Sequence, residues 1–186
     1  GTIRFLLEHR EDFKKGGIVC DVCGVKAAVV HAAAGPLREA GVRFVGCHPM
    51  AGREFSGFDY AREDLFDGAS FILTPVEDTD PSAVAELEAF ARSIGFGQTA
   101  TASPEEHDRI IAATSQLAHV VSNAYMKSPT LREEAGFSAG SYLDLTRVAK
   151  LSEEMWTSLF LLNKEPLLYE LDTIIGHLAQ YRDALA

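Results

Sequence analysis

Arg43-Phe44-Val45-Gly46-Cys47, followed at once by His48-Pro49-Met50-Ala51-Gly52, decides how the first half of this chain is read. The apolar run is strand-length, and it starts two residues after Gly41, a helix stop. Upstream, residues 25–40 are rich in Ala and Val and read as a buried crossover helix. Before them, Ile18-Val19-Cys20-Asp21-Val22 follows the double glycine Gly16-Gly17 and reads as another strand. Residues 2–14 carry Ile3, Leu6, Leu7 and Phe13 at helical spacing. Downstream, Ser70-Phe71-Ile72-Leu73-Thr74 is a strand closed by Pro75. Asp80-Pro81 caps and opens a helix to Ser93, and residues 98–102 form a fourth strand. This βαβ rhythm predicts a mostly parallel sheet with helices on its faces.

The rhythm stops at Ser103-Pro104-Glu105-Glu106, a capping box with proline at its first helical position. Beyond it the spacing predicts one long helix over 107–127, a polar connection over 128–141, a helical stretch over 144–162 and a last helix over 166–185 capped by Asn163. The expected domains are therefore 1–102, α/β, and 103–186, all-α. Leu167, Leu168, Leu171, Ile174, Ile175, Leu178 and Tyr181 cover more of the last helix than one neighbour buries, which predicts a homodimer through this half.

The 186 residues carry Lys+Arg 17 and Asp+Glu 27, a net charge of −10. No basic stripe opposes that charge, so nucleic acid is excluded as a partner. No apolar stretch approaches the roughly 20 residues of a membrane span, and no secretory signal is recognisable. Three cysteines, Cys20, Cys23 and Cys47, fit a reducing cytoplasm.

Several patterns compete for chemistry. Cys20-Asp21-Val22-Cys23 is a C-x-x-C, which with Cys47 and His48 offers a zinc or dithiol reading. Cys20 within a strand and the adjacency of Cys47 and His48 argue instead for buried free thiols. Gly95-Phe96-Gly97-Gln98-Thr99-Ala100 matches a dinucleotide fingerprint, but a helix precedes it and a strand follows, the reverse of what that loop needs. His48 follows a strand at the carboxyl edge of a parallel sheet, where open α/β folds collect ligands. Ser115 and His119 lie four residues apart on one helix face. Asp144-Leu145-Thr146-Arg147 opens the next helical stretch, where Arg147 can present a planar fork to a carboxylate, and Trp156 can cover such a site.

With these positions marked, the sequence resembles the prephenate dehydrogenase family, including its arogenate-using relatives, over essentially the whole chain. The resemblance is carried by Asp21-Val22-Cys23-Gly24-Val25-Lys26, by 44–57 with its His48-Pro49-Met50-Ala51-Gly52 segment, by Leu65-Phe66-Asp67-Gly68 and by Ile72-Leu73-Thr74-Pro75. It continues in His107-Asp108 with Ser115-Gln116-Leu117-Ala118-His119, then in Asp144-Leu145-Thr146-Arg147 and Met155-Trp156.

The resemblance implies the C-terminal remainder of a Rossmann-like parallel-sheet domain followed by a helical dimerisation domain. It implies oxidative decarboxylation of prephenate to 4-hydroxyphenylpyruvate with NAD or NADP in tyrosine biosynthesis. Arogenate dehydrogenase, or an inactive dimerisation fragment of such an enzyme, is the alternative. His48 would accept the ring-hydroxyl proton, Arg147 would hold the side-chain carboxylate and His119 would fix the substrate. Ser115, Glu54 and Trp156 would line the site, and Asp144 would orient the arginine. Gly24 and Pro49 would lie at the nicotinamide end, with no metal. Gly24 stands where many relatives carry a serine, and Gln116 and Ala118 replace a histidine and a proline. Relatives also begin with a glycine-rich nucleotide turn, which implies that roughly ninety residues precede this chain in the whole enzyme.

Overall fold

The computed structural model describes residues 1–52 and 57–186. The chain divides into two units, Gly1–Asp108 and Arg109–Ala186. The order of the first unit is α1 (Thr2–Glu8), β1 (Ile18–Cys20), α2 (Ala27–Glu39), β2 (Arg43–Pro49), a 3₁₀ turn (Phe58–Tyr60), β3 (Ser70–Thr74), α3 (Pro81–Ser93) and β4 (Gln98–Thr101). Its last element, α4 (Pro104–Ile111), enters through Ser103, whose Oγ accepts the Glu106 N–H at 3.1 Å. Asp80 likewise caps α3, accepting the Ser82 N–H at 2.8 Å with Pro81 behind it.

The sheet order is β1-β2-β3-β4. β1 and β2 run parallel, with Val19 opposite Phe44, and so do β3 and β4, with Ile72 opposite Ala100. β2 and β3 are antiparallel, with His48 opposite Ile72. The sheet is thus parallel at both flanks and reversed at its centre, because α2 and α3 supply the long crossovers that parallel pairing needs. Between β2 and β3 the described residues hold only the 3₁₀ turn, and the chain returns in the opposite direction.

Alternation along β2 assigns its two faces. Phe44 packs with Val29, Val30, Ala33 and Leu37 of α2, while Val45 and Cys47 pack with Leu73, Ala83, Leu87 and Ala91 beneath α3. Each such buried Val or Leu contributes about 1.5–3 kcal/mol relative to exposure. Gly46 has no room for a side chain: a Cβ there would stand 2.4 Å from Thr74 Oγ1 and 2.5 Å from Val30 Cγ2. That close approach seats α2 directly on the strand. Gly41, at φ 79°, ends α2 in the left-handed conformation that glycine adopts without strain.

Some boundaries differ from the sequence reading. α1 stops at Glu8 rather than near residue 14, and β1 stops at Cys20 because Asp21 turns inward to accept the Cys23 N–H at 2.9 Å. β2 extends to Pro49, so His48 belongs to the strand itself and not to the loop after it.

The second unit contains the end of α4, a π-helical turn (Ala112–Gln116), α5 (Leu117–Tyr125), a 3₁₀ turn (Pro129–Glu133), α6 (Gly140–Thr146), α7 (Glu153–Leu162) and α8 (Lys164–Leu185). The helix expected over 107–127 is therefore interrupted by an i→i+5 segment. The stretch expected over 144–162 is two helices, and the break between them contains Arg147. In α8 only Leu167 is buried, while Tyr169, Ile175, Leu178 and Tyr181 are all more than half exposed. No helix among the described residues is long and apolar enough to cross a membrane.

Candidate functional site

Two polar residues on the loop after β1 organise the first unit. Asp21 and Lys26 are buried and form an ion pair, and Lys26 Nζ also donates to the Cys47 carbonyl. Asp21 Oδ1 accepts the Cys47 N–H at 3.2 Å. Both backbone groups of Cys47 are thereby held from the β1 side, and the next residue along the strand is His48. An ion pair this deeply buried is costly to break, since the lone partner would remain as an uncompensated charge.

His48 Nδ1 lies 2.8 Å from His107 Nε2, with the rings edge-on at 62°. His107 Nδ1 in turn lies 2.7 Å from Asp108 Oδ1. Asp108 also accepts the Lys26 N–H at 2.7 Å and the Ala27 N–H at 2.9 Å, so its carboxylate caps the N-terminus of α2. His107 and Asp108 are buried, and His48 is half-buried. Burial, then the His107 ring and the Lys26 ammonium, lower the His48 pKa to about 4, with Asp21 and Asp108 opposing. The ring is neutral at physiological pH and able to accept a proton.

The cysteines resolve into free thiols. Cys23 Sγ donates to Thr2 Oγ1 at 3.3 Å, whereas Cys20 and Cys47 interact with each other. That contact draws the Cys20 thiol down; with burial, it pushes Cys47 up. The C-x-x-C residues therefore have separate partners. Among the described residues no group of three His, Cys, Asp or Glu side chains could hold a metal ion. The Gly95–Ala100 motif does follow α3 and run into β4, the reverse of a nucleotide-binding turn.

In the second unit, Ser115 belongs to the π-helical turn, and its carbonyl accepts the His119 Nδ1–H at 2.9 Å. The His119 ring stacks on Trp156 with centroids 4.0 Å apart. Gln116 is buried; its Oε1 accepts from Asn163 Nδ2 at 2.8 Å, tying the turn to the start of α8. Asn163 stands at the N-cap of α8 as expected, its carbonyl accepting the Leu167 N–H at 3.2 Å, while its side chain makes this bond to Gln116 and no cap bond. Ser115 and His119 thus lie one turn apart, and Trp156 packs on the His119 ring. Arg147 and Asp144 are exposed, and Arg147 closes the C-terminal end of α6 instead of opening a helix, a favourable place for a cation. Glu54 lies outside the described residues. Gly24 is half-buried in the bend after β1, and Pro49 ends β2.

His107 and Asp108 were given no individual role by sequence reasoning. Their adjacency to a capping box was visible; the contact with His48, across 59 residues, was not.

A family model described as prephenate dehydrogenase, nucleotide-binding domain, matches residues 1–97. One described as prephenate dehydrogenase, dimerization domain, matches residues 103–186. The chain is 34% identical over 170 residues to a prephenate dehydrogenase of Bacillus subtilis, covering 89% of this chain and 45% of that protein. It is 35% identical over 183 residues to a cyclohexadienyl dehydrogenase of Zymomonas mobilis, covering 93% and 60%. Among solved structures, prephenate dehydrogenase from Aquifex aeolicus in complex with hydroxyphenyl propionate and NAD+ superposes with a TM-score of 0.83 at 29% identity, over 100% of this chain and 66% of that one. Synechocystis arogenate dehydrogenase gives 0.79 at 29%, over 98% and 66%. The chain spans between about half and two thirds of the length of these relatives.

Proposed function

The chain belongs to the prephenate dehydrogenase family, and from that premise we propose that it carries the proton-accepting histidine and the substrate-holding helices of an NAD-linked enzyme that oxidatively decarboxylates prephenate to 4-hydroxyphenylpyruvate. The observation that carries this reading is His48 itself: a neutral imidazole on the last turn of a strand, gripped through its backbone neighbour by the buried Asp21–Lys26 pair.

His48 accepts the proton of the ring hydroxyl as hydride leaves the carbon that bears it. The depressed pKa of the unliganded ring keeps it deprotonated, and the negative charge of a carboxylate-bearing substrate nearby raises its basicity when it is needed. Arg147 holds the side-chain carboxylate through its planar fork. Ser115, His119 and Trp156 present one hydroxyl, one imidazole and one apolar face to the remainder of the substrate, and Glu54 and Asp144 complete its polar surroundings.

The residues present fit the nicotinamide end of the cofactor and not its phosphates. Gly24 has no side chain to obstruct a flat ring and Pro49 offers an apolar one, while the backbone N–H groups opening α2 are already taken by Asp108. When bound, NAD supplies the hydride acceptor. The enzyme acts in the cytoplasm, in keeping with three free cysteines, and pairs as a homodimer through the exposed apolar residues of α8. Similarity to an arogenate dehydrogenase and a cyclohexadienyl dehydrogenase favours arogenate as the second substrate to assay, and NADP is the second acceptor to try.

The test is His48→Asn in the full-length protein, assayed with prephenate and NAD. Loss of general-base assistance should lower kcat by about 10³-fold with a near-normal KM. Turnover close to wild type would overturn the role given to His48.

A further inference from the structure

We propose that His107 and Asp108 form a positioning relay that fixes which nitrogen of His48 carries its hydrogen, leaving His48 Nε2 as the acceptor offered to substrate. The proposal deepens the reading of His48 as proton acceptor and rests on it.

The direction of the relay follows from its donors. Asp108 takes two backbone N–H groups, from Lys26 at 2.7 Å and Ala27 at 2.9 Å. An ionised carboxylate has no hydrogen to give, so the 2.7 Å contact with His107 Nδ1 is made by an Nδ1–H of His107. The opposite tautomer would set a ring lone pair against the carboxylate at that distance. The relay requires His107 to hold a single ring hydrogen, and with that hydrogen on Nδ1 it has only a lone pair on Nε2. That nitrogen stands 2.8 Å from His48 Nδ1, and two lone pairs do not meet at 2.8 Å, so His48 supplies the hydrogen. Nε2 of His48 is then the unprotonated nitrogen.

The consequence for the reaction is twofold. An imidazole without such a partner exchanges between tautomers, and the form bearing Nε2–H would meet the substrate hydroxyl with a donor where an acceptor is required. Once Nε2 has taken the hydroxyl proton, Nδ1–H remains on His48, and the new positive charge is answered through His107 by Asp108. Asp21 and Lys26 oppose each other in charge beside the same ring, so the relay decides the hydrogen's location without placing a lone charge there. Asp108 is itself immobilised by the first turn of α2, which makes the relay part of the helix cap and fixes its geometry before substrate arrives.

Histidine-selective ¹⁵N NMR of the protein at neutral pH reads the tautomers directly. His48 and His107, assigned from the signals lost in His48→Asn and His107→Gln, should both be neutral with hydrogen on Nδ1. In His107→Phe the His48 signals should leave the Nδ1–H pattern. An Nε2–H tautomer at His48, an imidazolium at His107, or an unchanged His48 in the Phe variant would each overturn the proposal. In the full-length protein, His107→Phe should lower kcat about 10²-fold with KM for prephenate within about threefold. His107→Gln should recover most of that loss, because the carboxylate orients its amide N–H₂ and leaves the side-chain oxygen toward His48. Equal losses in the two variants would assign His107 to packing alone. The wild-type spectrum decides the tautomer even if the Phe variant does not fold. It also stands apart from the turnover of His48→Asn, so failure of the relay and failure of the proton-acceptor role are distinguishable.

Discussion

The two units of this protein bury different things. Gly1–Asp108 closes its sheet with α2 and α3 and hides polar groups inside: Asp21, Lys26, His107 and Asp108 all lie within it, each with a partner at hydrogen-bond range. Arg109–Ala186 buries few large side chains and leaves apolar ones outside, among them Leu161, Leu168, Ile175, Leu178 and Tyr181. The first arrangement specifies chemistry, because buried polar groups must be paired and pairing fixes geometry. The second offers the surface that the proposed homodimer would cover, since exposed apolar area of this extent marks interaction surfaces.

The contrast is open to attack in order of effect. Lys26→Met removes the partner of buried Asp21 and should destabilise the first unit by about 3–5 kcal/mol in chemical denaturation. Trp156, the one tryptophan, reports the second unit, and its fluorescence transition should move far less than far-ultraviolet ellipticity. Coincident shifts in both probes would erase the distinction between units. Arg147→Gln should raise the KM for prephenate about 10–100-fold in the full-length protein while kcat changes by less than about threefold. An unchanged KM removes Arg147 from the substrate site.

Protonation offers a third approach. The folded pKa of His48, about 4, lies below the ordinary 6.5, so the unfolded chain binds the extra proton first. Stability should therefore be full above pH 6.5 and fall between about 6.5 and 4, by roughly 1–3 kcal/mol after allowing for the partial exposure of the ring. His48→Asn should flatten that slope, as measured by urea midpoints across the range. An acid slope surviving in the variant would assign it elsewhere. Last, Leu178→Glu in the second unit should weaken self-association about tenfold or more in sedimentation equilibrium and leave first-unit stability within about 0.5 kcal/mol. Unaltered association would dismiss this face of α8 as the contact.

Much of the first unit was legible because its signals are local. Apolar runs named β2 and β3, Gly41 stopped α2, and Asp80-Pro81 and Ser103-Pro104 announced two helices. Strand direction was not legible, since Phe71 and Leu73 are as apolar in an antiparallel pair as in a parallel one. The break after Thr146 was hidden by helix-compatible residues on both sides of it. The π-helical turn was hidden for the same reason: Ala112-Ala113-Thr114-Ser115-Gln116 suits an ordinary helix, and the Gln116–Asn163 bond at its end joins residues 47 apart in sequence. At the candidate site, His48, Ser115, His119 and Trp156 were singled out through motifs, whereas the contact of His107 with His48 depended on folding.

The wide turn at 112–116 has a consequence for how this helix tolerates changes in length. It accommodates one residue more than regular winding allows, as an insertion does, and every position after it is rotated by about 100° relative to an uninterrupted helix. Deleting one residue there would restore uniform backbone bonding and, in the same stroke, swing Ser122 and Asn123 away from the carbonyls of Leu145 and Ala149 that they now reach. A shortening that looks like a repair of the helix would undo the anchoring of the loop beyond it.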